Sequence, residues 1–120
     1  MNDRQASALH RAAARAALSA PGVRDLQPGL RHQLAAAVRG GHGTHSPTAP
    51  PEAGIRTGNT HDPPGWHVEV RCIIDESRRA LDTARDVRER VRAAVTDHLA
   101  GQDEPGHVDV LVSITRTEPT

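Results

Sequence analysis

Four polar side chains in this 120-residue chain are of types that could do chemistry together. They belong to two stretches in which apolar and polar residues alternate: His67 and Glu69 in the first, His107 and Asp109 in the second. If the stretches are neighbouring strands with their starts aligned, the two imidazoles and the two carboxylates approach one another. Such a donor set can bind Zn²⁺ and support hydrolysis. Polar pairs at i and i+2 also occur on any solvated strand face, which is the simpler interpretation.

The other histidines and the cysteine are spread along the chain. His42, His45 and His61 lie in a polar segment without the close spacing of metal ligands, so we expect them to be solvated. His98 falls in the last turn of a predicted helix, where an imidazole can bond free carbonyl groups. Cys72 lies in an apolar stretch, which predicts a buried, unreactive thiol. We therefore predict no catalytic, cofactor-binding or metal-binding residue and no enzymatic activity, with a metal-binding or hydrolytic protein as the alternative.

Two predicted strands and a long helix have to position the four polar residues. Residues 66–75 and 107–117 alternate between apolar and polar side chains, as a strand with one buried face does. Between them, from about residue 78 to 99, apolar residues recur at helical spacing. The apolar positions of that helix are Leu81, Ala84, Val87, Val91, Ala94, Val95 and Leu99. If the strands are parallel neighbours, the helix is the crossover between them.

The N-terminal part of the chain predicts further elements. Residues 4–19 form a predicted amphipathic helix that ends before Pro21, because the residue preceding a proline is pushed out of the α region. Residues 23–26 are a candidate strand, and residues 30–38 are a candidate second short helix.

A segment rich in glycine, proline and histidine follows, and its low apolar content predicts a flexible insertion at about residues 40–64. Inside it, residues 55–59 are a candidate edge strand that pairs back onto the strand at 66–75. Residues 1–120 as a whole are predicted to form one α+β domain. We expect a two-layer sandwich in which a small mixed sheet of three to four strands carries two main helices on one face, in the order α-β-loop-β-β-α-β.

The strand faces that point away from the helices carry mostly polar residues, with two apolar exceptions. Glu69, Arg71 and Ile73 lie on this face of the first strand, and Leu111 lies on it in the second. Ile73 and Leu111 together predict a small apolar patch of the kind that marks a contact site. These four residues are the candidate interaction face.

Composition disfavours proteins that bind through charge. Fifteen basic and fifteen acidic residues leave no net charge to attract nucleic acid or an anionic membrane. A single-stranded nucleic-acid-binding module is the third alternative, but the chain has one Trp and no Phe or Tyr for base stacking. No apolar run is long enough to span a bilayer, and the first residues lack the apolar core of a signal peptide. We expect a cytoplasmic protein.

Several segments together resemble the alkaline shock protein family, also called the cell-envelope stress response family. AALSAPGV at residues 16–23 resembles the AAL-x-VPGV motif that ends the first helix of that family. GWHVEV at residues 65–70 resembles its G-V-x-V-x-V strand. The valines at residues 85–95 resemble its V-x-x-x-V-x-x-x-V helix, and VDVLV at residues 108–112 resembles its closing strand.

The resemblance covers about residues 8–38 and 54–117. The chain departs from the family where Ser19 and Ala20 replace its Glu-Val pair, and in the proline-rich insertion. The resemblance implies a non-enzymatic bacterial protein of the envelope stress response. Such a protein is cytoplasmic, self-associates, and is held at the inner face of the membrane by a small membrane-anchor protein. It does not insert into the membrane directly and does not bind nucleic acid.

Overall fold

The computed structural model describes residues 3–29, 51–61, 64–102 and 106–119. Within these ranges the chain forms two helices and four strands in the predicted order. The elements are α1 (Asp3–Leu18), β1 (Val23–Leu26), a 3-10 turn (Pro51–Gly54), β2 (Ile55–His61), β3 (Pro64–Asp75), α2 (Ala80–Ala100) and β4 (His107–Glu118). The predicted α+β fold is confirmed. The candidate helix at 30–38 and residues 40–50 of the predicted insertion lie outside the described residues.

The turn that carries Pro21 and Gly22 ends α1, as the sequence predicted. The Ser19 hydroxyl donates a hydrogen bond to the carbonyl of Ala16 at 2.6 Å, which satisfies a carbonyl of the last helical turn. Gly22 has a φ of 92°, a left-handed conformation that favours glycine. A Cβ at Gly22 would lie 2.9 Å from Oγ1 of Thr83 in α2. The position therefore requires glycine both for its backbone conformation and for its close approach to α2.

β3 is the central strand of a four-stranded mixed sheet. β1 and β2 pair antiparallel with one edge of β3, β1 along its C-terminal part and β2 along its N-terminal part. β4 pairs parallel with the other edge, from His107 opposite Gly65 to Glu118 opposite Asp75. α2 is therefore the crossover between two parallel neighbours, as predicted.

The second part of the predicted insertion has regular structure. Residues 51–54 form the 3-10 turn, and β2 continues to His61, beyond the predicted end at residue 59. β2 and β3 form a hairpin, in register from Ile55 opposite Val70 to His61 opposite Pro64. Ile55 is the buried residue of this strand, so pairing with β3 holds β2 in place more than apolar contacts do. The candidate edge strand at 55–59 and its pairing with β3 are therefore confirmed, whereas the prediction that the flexible insertion extends to residue 64 was wrong for residues 51–61.

One hydrophobic core lies between the sheet and the two helices. α1 packs over β1, β2 and the 3-10 turn, while α2 packs against α1 and β4. The core residues of the sheet include Val68, Val70, Cys72 and Ile74, and those of α1 include Leu9, Ala13 and Ala17. Burial raises the pKa of the Cys72 thiol to about 11, so the thiol stays protonated and the prediction of an unreactive cysteine is supported.

The buried face of α2 is the predicted one except in the first turn of the helix. Val87, Val91 and Val95 are completely buried and form a row with i+4 spacing. The same row leads back to Thr83, which is also 0% exposed. Leu81 lies at the same angle on the helix as the buried Leu99, about five turns earlier, but it is in the first turn. It is 59% exposed, so the prediction that it is buried was wrong.

Candidate functional site

The predicted polar cluster does not form, because β4 pairs with β3 in a different register. His67 lies opposite Asp109, and Glu69 lies opposite Leu111. His107 is therefore displaced along the sheet from His67, and its Nε2 lies 3.0 Å from Oδ1 of Asp109 in its own strand. Among the residues that the structure describes, no group of three or more His, Cys, Asp or Glu side chains is placed to hold a metal ion.

The pair formed by His107 and Asp109 is open to solvent. The two side chains are 46% and 57% exposed. Water screens such a pair, so it contributes little to stability and does not create the desolvated environment that perturbs a catalytic group. His61 is exposed, as predicted, while His42 and His45 lie outside the described residues.

The four residues of the predicted interaction face belong to the outer face of the sheet, but the two apolar members are separated. Leu111 lies opposite Glu69, and Ile73 lies opposite Arg116. The register places Leu111 and Ile73 about 13 Å apart along the strand direction, at the usual rise of a strand residue. Arg71 lies between the two levels in β3. The expected continuous apolar patch is therefore absent at these residues.

Ile73 is 8% exposed, so the prediction that it is a surface residue was wrong. It does not belong to the core cluster. At its level β3 has a strand on each side, with Asp25 of β1 on one edge and Arg116 of β4 on the other. Leu111 lies on β4, which has a strand on one side, and is 49% exposed. Strand position in the sheet, rather than residue type, accounts for this difference in exposure.

The free edge of β4 is a surface that the sequence patterns did not reveal. In the described part of the chain β4 pairs with β3 alone, so its other edge has no strand partner. The strand is 12 residues long. It carries two exposed large apolar residues, Leu111 and Ile114, which are 49% and 37% exposed. The alternation at 107–117 indicated a strand, but only the strand order of the sheet shows that this strand is an edge.

Charged side chains tie the C-terminal end of β4 to the sheet. Arg24 of β1 lies 4.0 Å from Asp75 of β3 and 3.9 Å from Glu118 of β4. Hydrogen bonds from Ser77, and to a smaller extent the charge of Arg24, lower the pKa of Asp75. A hydrogen bond from Arg116 lowers the pKa of Glu118. Both carboxylates are consequently ionised at neutral pH.

An open groove of about 550 Å³ lies between α2 and the turn that follows α1. Its lining residues are Pro21, Arg78, Asp82, Arg85, Asp86, Glu89 and Arg90. Asp86 lies 3.1 Å from Arg90 and 3.7 Å from Arg78. Arg90 also donates a hydrogen bond to the carbonyl of Ser19 at 3.2 Å. These charges bind one another and the end of α1, so the groove is better explained as a contact between helices than as a ligand site.

Two further histidines form structural contacts. Nε2 of His10 lies 2.8 Å from Oγ1 of Thr57, which links α1 to β2. Burial lowers the pKa of His10, and the negative charge of Glu52 opposes this effect. Nε2 of His98 lies 3.2 Å from Nε2 of Gln102, at the end of α2 where the sequence placed it. The partner of His98 is an amide, and the partner of His10 is a hydroxyl without a carboxylate on the imidazole in this contact, so neither contact forms a catalytic triad.

Comparison with known proteins finds no matching family model, curated protein or solved structure. In the described residues no helix combines the length and the apolar character needed to cross a membrane. The functional interpretation therefore depends on the residues of the chain and the contacts described above.

Proposed function

We propose that this protein is a non-enzymatic interaction module of the bacterial cell-envelope stress response. A separate small membrane-anchor protein recruits it to the inner face of the membrane, and copies of the module associate with one another. The main support for this proposal is the position, within the fold, of the four segments that resemble the alkaline shock protein family. Each of them lies in a turn, strand or helix of the fold, and the first three lie where a positive φ or complete burial favours the residues that carry the resemblance.

The first segment, AALSAPGV, supplies the end of α1, the turn and the first residue of β1. Its glycine, Gly22, adopts the positive φ of that turn. The second segment, GWHVEV, lies in the central strand, where Val68 and Val70 are completely buried. The valines at i+4 spacing form the buried row of α2, and VDVLV lies in β4. This agreement between motif and structural requirement supports the family resemblance.

The exposed apolar residues on β4 support a role in protein contacts. Leu111 and Ile114 lie on an edge strand that has a free edge in the described part of the chain. Apolar side chains on such an edge favour binding to another protein surface.

The nucleic-acid and metal alternatives have weaker support. Trp66, the one aromatic residue of the chain, packs against the core and is not displayed as a platform for base stacking. The register shifts His107 and Asp109 along β3 from the predicted alignment, and within the described ranges no group of three or more possible ligands is placed to hold a metal ion. Elemental analysis of untagged protein tests the metal alternative. One equivalent of zinc that is lost on changing His67 and His107 to Ala would favour it over an interaction module.

Membrane recruitment by a separate protein is tested by fractionating cells of two hosts that express the same epitope-tagged chain. In the bacterium that encodes the chain, we expect the protein in the membrane fraction and its release by alkaline carbonate, which removes peripheral proteins. In a distant host without the anchor, we expect it in the soluble fraction. Co-expression of a small membrane protein that co-purifies with the chain from its own bacterium should restore membrane location. Membrane association in both hosts, or in neither, would contradict the proposal.

A further inference from the structure

Among the strand edges that have no partner in the described ranges, that of β4 is the longest and the most apolar. It has 12 residues, whereas β2 has seven and contains Gly58 and Asn59 near its middle. Large apolar residues, including Val110, Val112 and Ile114, follow one another at alternate positions of β4. An edge of this length and composition is a template for pairing with another strand.

We propose that two copies of this protein pair antiparallel through β4, about a two-fold axis at Val112. The four strands of each copy would then form one continuous eight-stranded sheet. The occupant of the edge is thus a second copy of the chain. The inference identifies the surface used for the self-association in the proposed function, and it does not depend on membrane recruitment.

The register with β3 shows which β4 side chains share a face. Ile114 lies opposite Cys72, but Arg116 lies opposite the next residue, Ile73, so Thr115 is an extra residue in β4. After Thr115, the alternation of β4 side chains between the two faces of the sheet is therefore shifted by one residue. The charged residues at the two ends of β4 therefore lie on the same outer face of the sheet: His107, Asp109, Arg116 and Glu118.

Charge complementarity then selects the antiparallel arrangement centred on Val112. It places Asp109 opposite Arg116 of the second copy and His107 opposite Glu118 of the second copy. A shift by two residues in one direction would place Asp109 opposite a glutamate, and a shift in the other direction would place His107 opposite an arginine. A shift by one residue would place side chains of the helix-covered face of one copy opposite side chains of the outer face of the other. Among these registers, the one centred on Val112 is the one in which both charged positions meet a partner of opposite sign.

The same register matches the apolar residues on the helix-covered face. Val112 lies opposite Val112 of the second copy, and Val110 lies opposite Ile114 of the second copy, with the extra residue Thr115 bypassed in each strand. Ile114 is 37% exposed in the single chain, and Val110 and Val112 are half-buried. Pairing would cover these side chains and continue the core across the two-fold axis.

Sedimentation of the purified chain tests the dimer, and charge reversal tests its register. We expect wild-type protein to reach twice the monomer mass as its concentration rises. Asp109→Arg and Arg116→Asp should each raise the dimer dissociation constant about tenfold or more, because each variant creates two like-charge pairs. Both positions are exposed, so circular dichroism should show an unchanged fold.

Mixing the two charge variants provides the decisive comparison. A heterodimer of Asp109→Arg with Arg116→Asp has opposite charges at both positions, so the mixture should recover dimers that neither variant forms as well alone. Wild-type protein that stays monomeric at every concentration would overturn the proposal. Variants that dimerise as tightly as wild type would also overturn it, and so would a mixture that contains no more dimer than each variant forms alone.

A cysteine substitution at the axis tests the geometry independently. Val112→Cys should form an intermolecular disulfide on mild oxidation, because the two Cβ atoms face each other across the axis. Leu111→Cys is the matched control. In the register centred on Val112, the two cysteines at position 111 lie diagonally across the strand pair and too far apart to form a disulfide. The native Cys72 is completely buried and should not interfere. Equal crosslinking at both positions, or more at Leu111→Cys, would contradict the register.

Discussion

The imidazole of His10 lies between α1 and β2, and burial lowers its pKa below the ordinary value of 6.5. The unfolded chain therefore binds this proton more readily than the folded one. Stability from His10 is fully present above about pH 6.5 and is lost as the pH falls towards the lowered pKa of the folded protein. Urea denaturation across this range should show that the free energy of unfolding decreases, and His10→Gln should make that free energy depend less on pH.

The charge of Glu52 opposes the effect of burial on His10, so Glu52→Gln should lower the NMR-measured pKa of His10 further. An unchanged or higher pKa would contradict this assignment.

Thr83 occupies a core position of α2 with its hydroxyl unpaired among the described residues. A valine has nearly the same shape and no polar atom to bury. Thr83→Val should therefore raise the free energy of unfolding by about 1 kcal/mol. Thr57→Val is the matched control, because it removes the hydroxyl that contacts His10, and it should lower the free energy of unfolding by about 1 kcal/mol. Equal losses in chemical denaturation of both variants would show that the Thr83 hydroxyl has a partner, such as a buried water.

At the scale of the strands, position in the sheet separates two residues that the sequence treats alike. Ile73 and Leu111 are both apolar residues on the outer face, yet Ile73 lies on the central strand and Leu111 on an edge strand. Ile73→Lys should lower the free energy of unfolding by about 1–3 kcal/mol, because it places an amine at a buried position. Leu111→Lys should change it by about 0.5 kcal/mol or less in the monomer. Thermal denaturation at low protein concentration makes the comparison, and equal destabilisation would contradict the assigned strand order.

Helix α2 shows how far a periodic pattern determines an element. The valines at i+4 spacing predicted the helix and most of its buried row. An apolar stripe with this spacing has to be buried in any compact fold, so the prediction does not depend on the neighbouring elements. The N-terminal end of the row depended on tertiary packing. Leu81 is exposed and Thr83 is buried, since the close approach of Gly22 fixes what fits beside the start of α2.

At the scale of the whole molecule, the described part of the chain folds around one core between the sheet and the two helices. Val91 is completely buried within it, whereas its neighbour Arg92 is exposed. Val91→Asp should unfold the protein, because an unpaired buried carboxylate costs several kcal/mol of a total stability of about 5–15 kcal/mol. Arg92→Asp introduces the same side chain one residue away and should leave the circular dichroism spectrum unchanged. Folded Val91→Asp protein would contradict the assigned orientation of α2.

The sequence by itself determined the order of the elements, the buried faces of β3 and β4 and the α+β class, because each depends on local periodicity and on turn residues such as Pro21 and Gly22. It also indicated the hairpin of β2 with β3, whose strands are joined by a short connection. Only the tertiary structure decided the register of β4 on β3. These strands are parallel and joined through α2, so no tight turn fixes their alignment, and packing of the helix sets it instead. That register shifted His107 and Asp109 from the predicted alignment with His67 and Glu69. The strand order, also set by the tertiary structure, buried Ile73 on the central strand and left the edge of β4 without a strand partner in the described part of the chain.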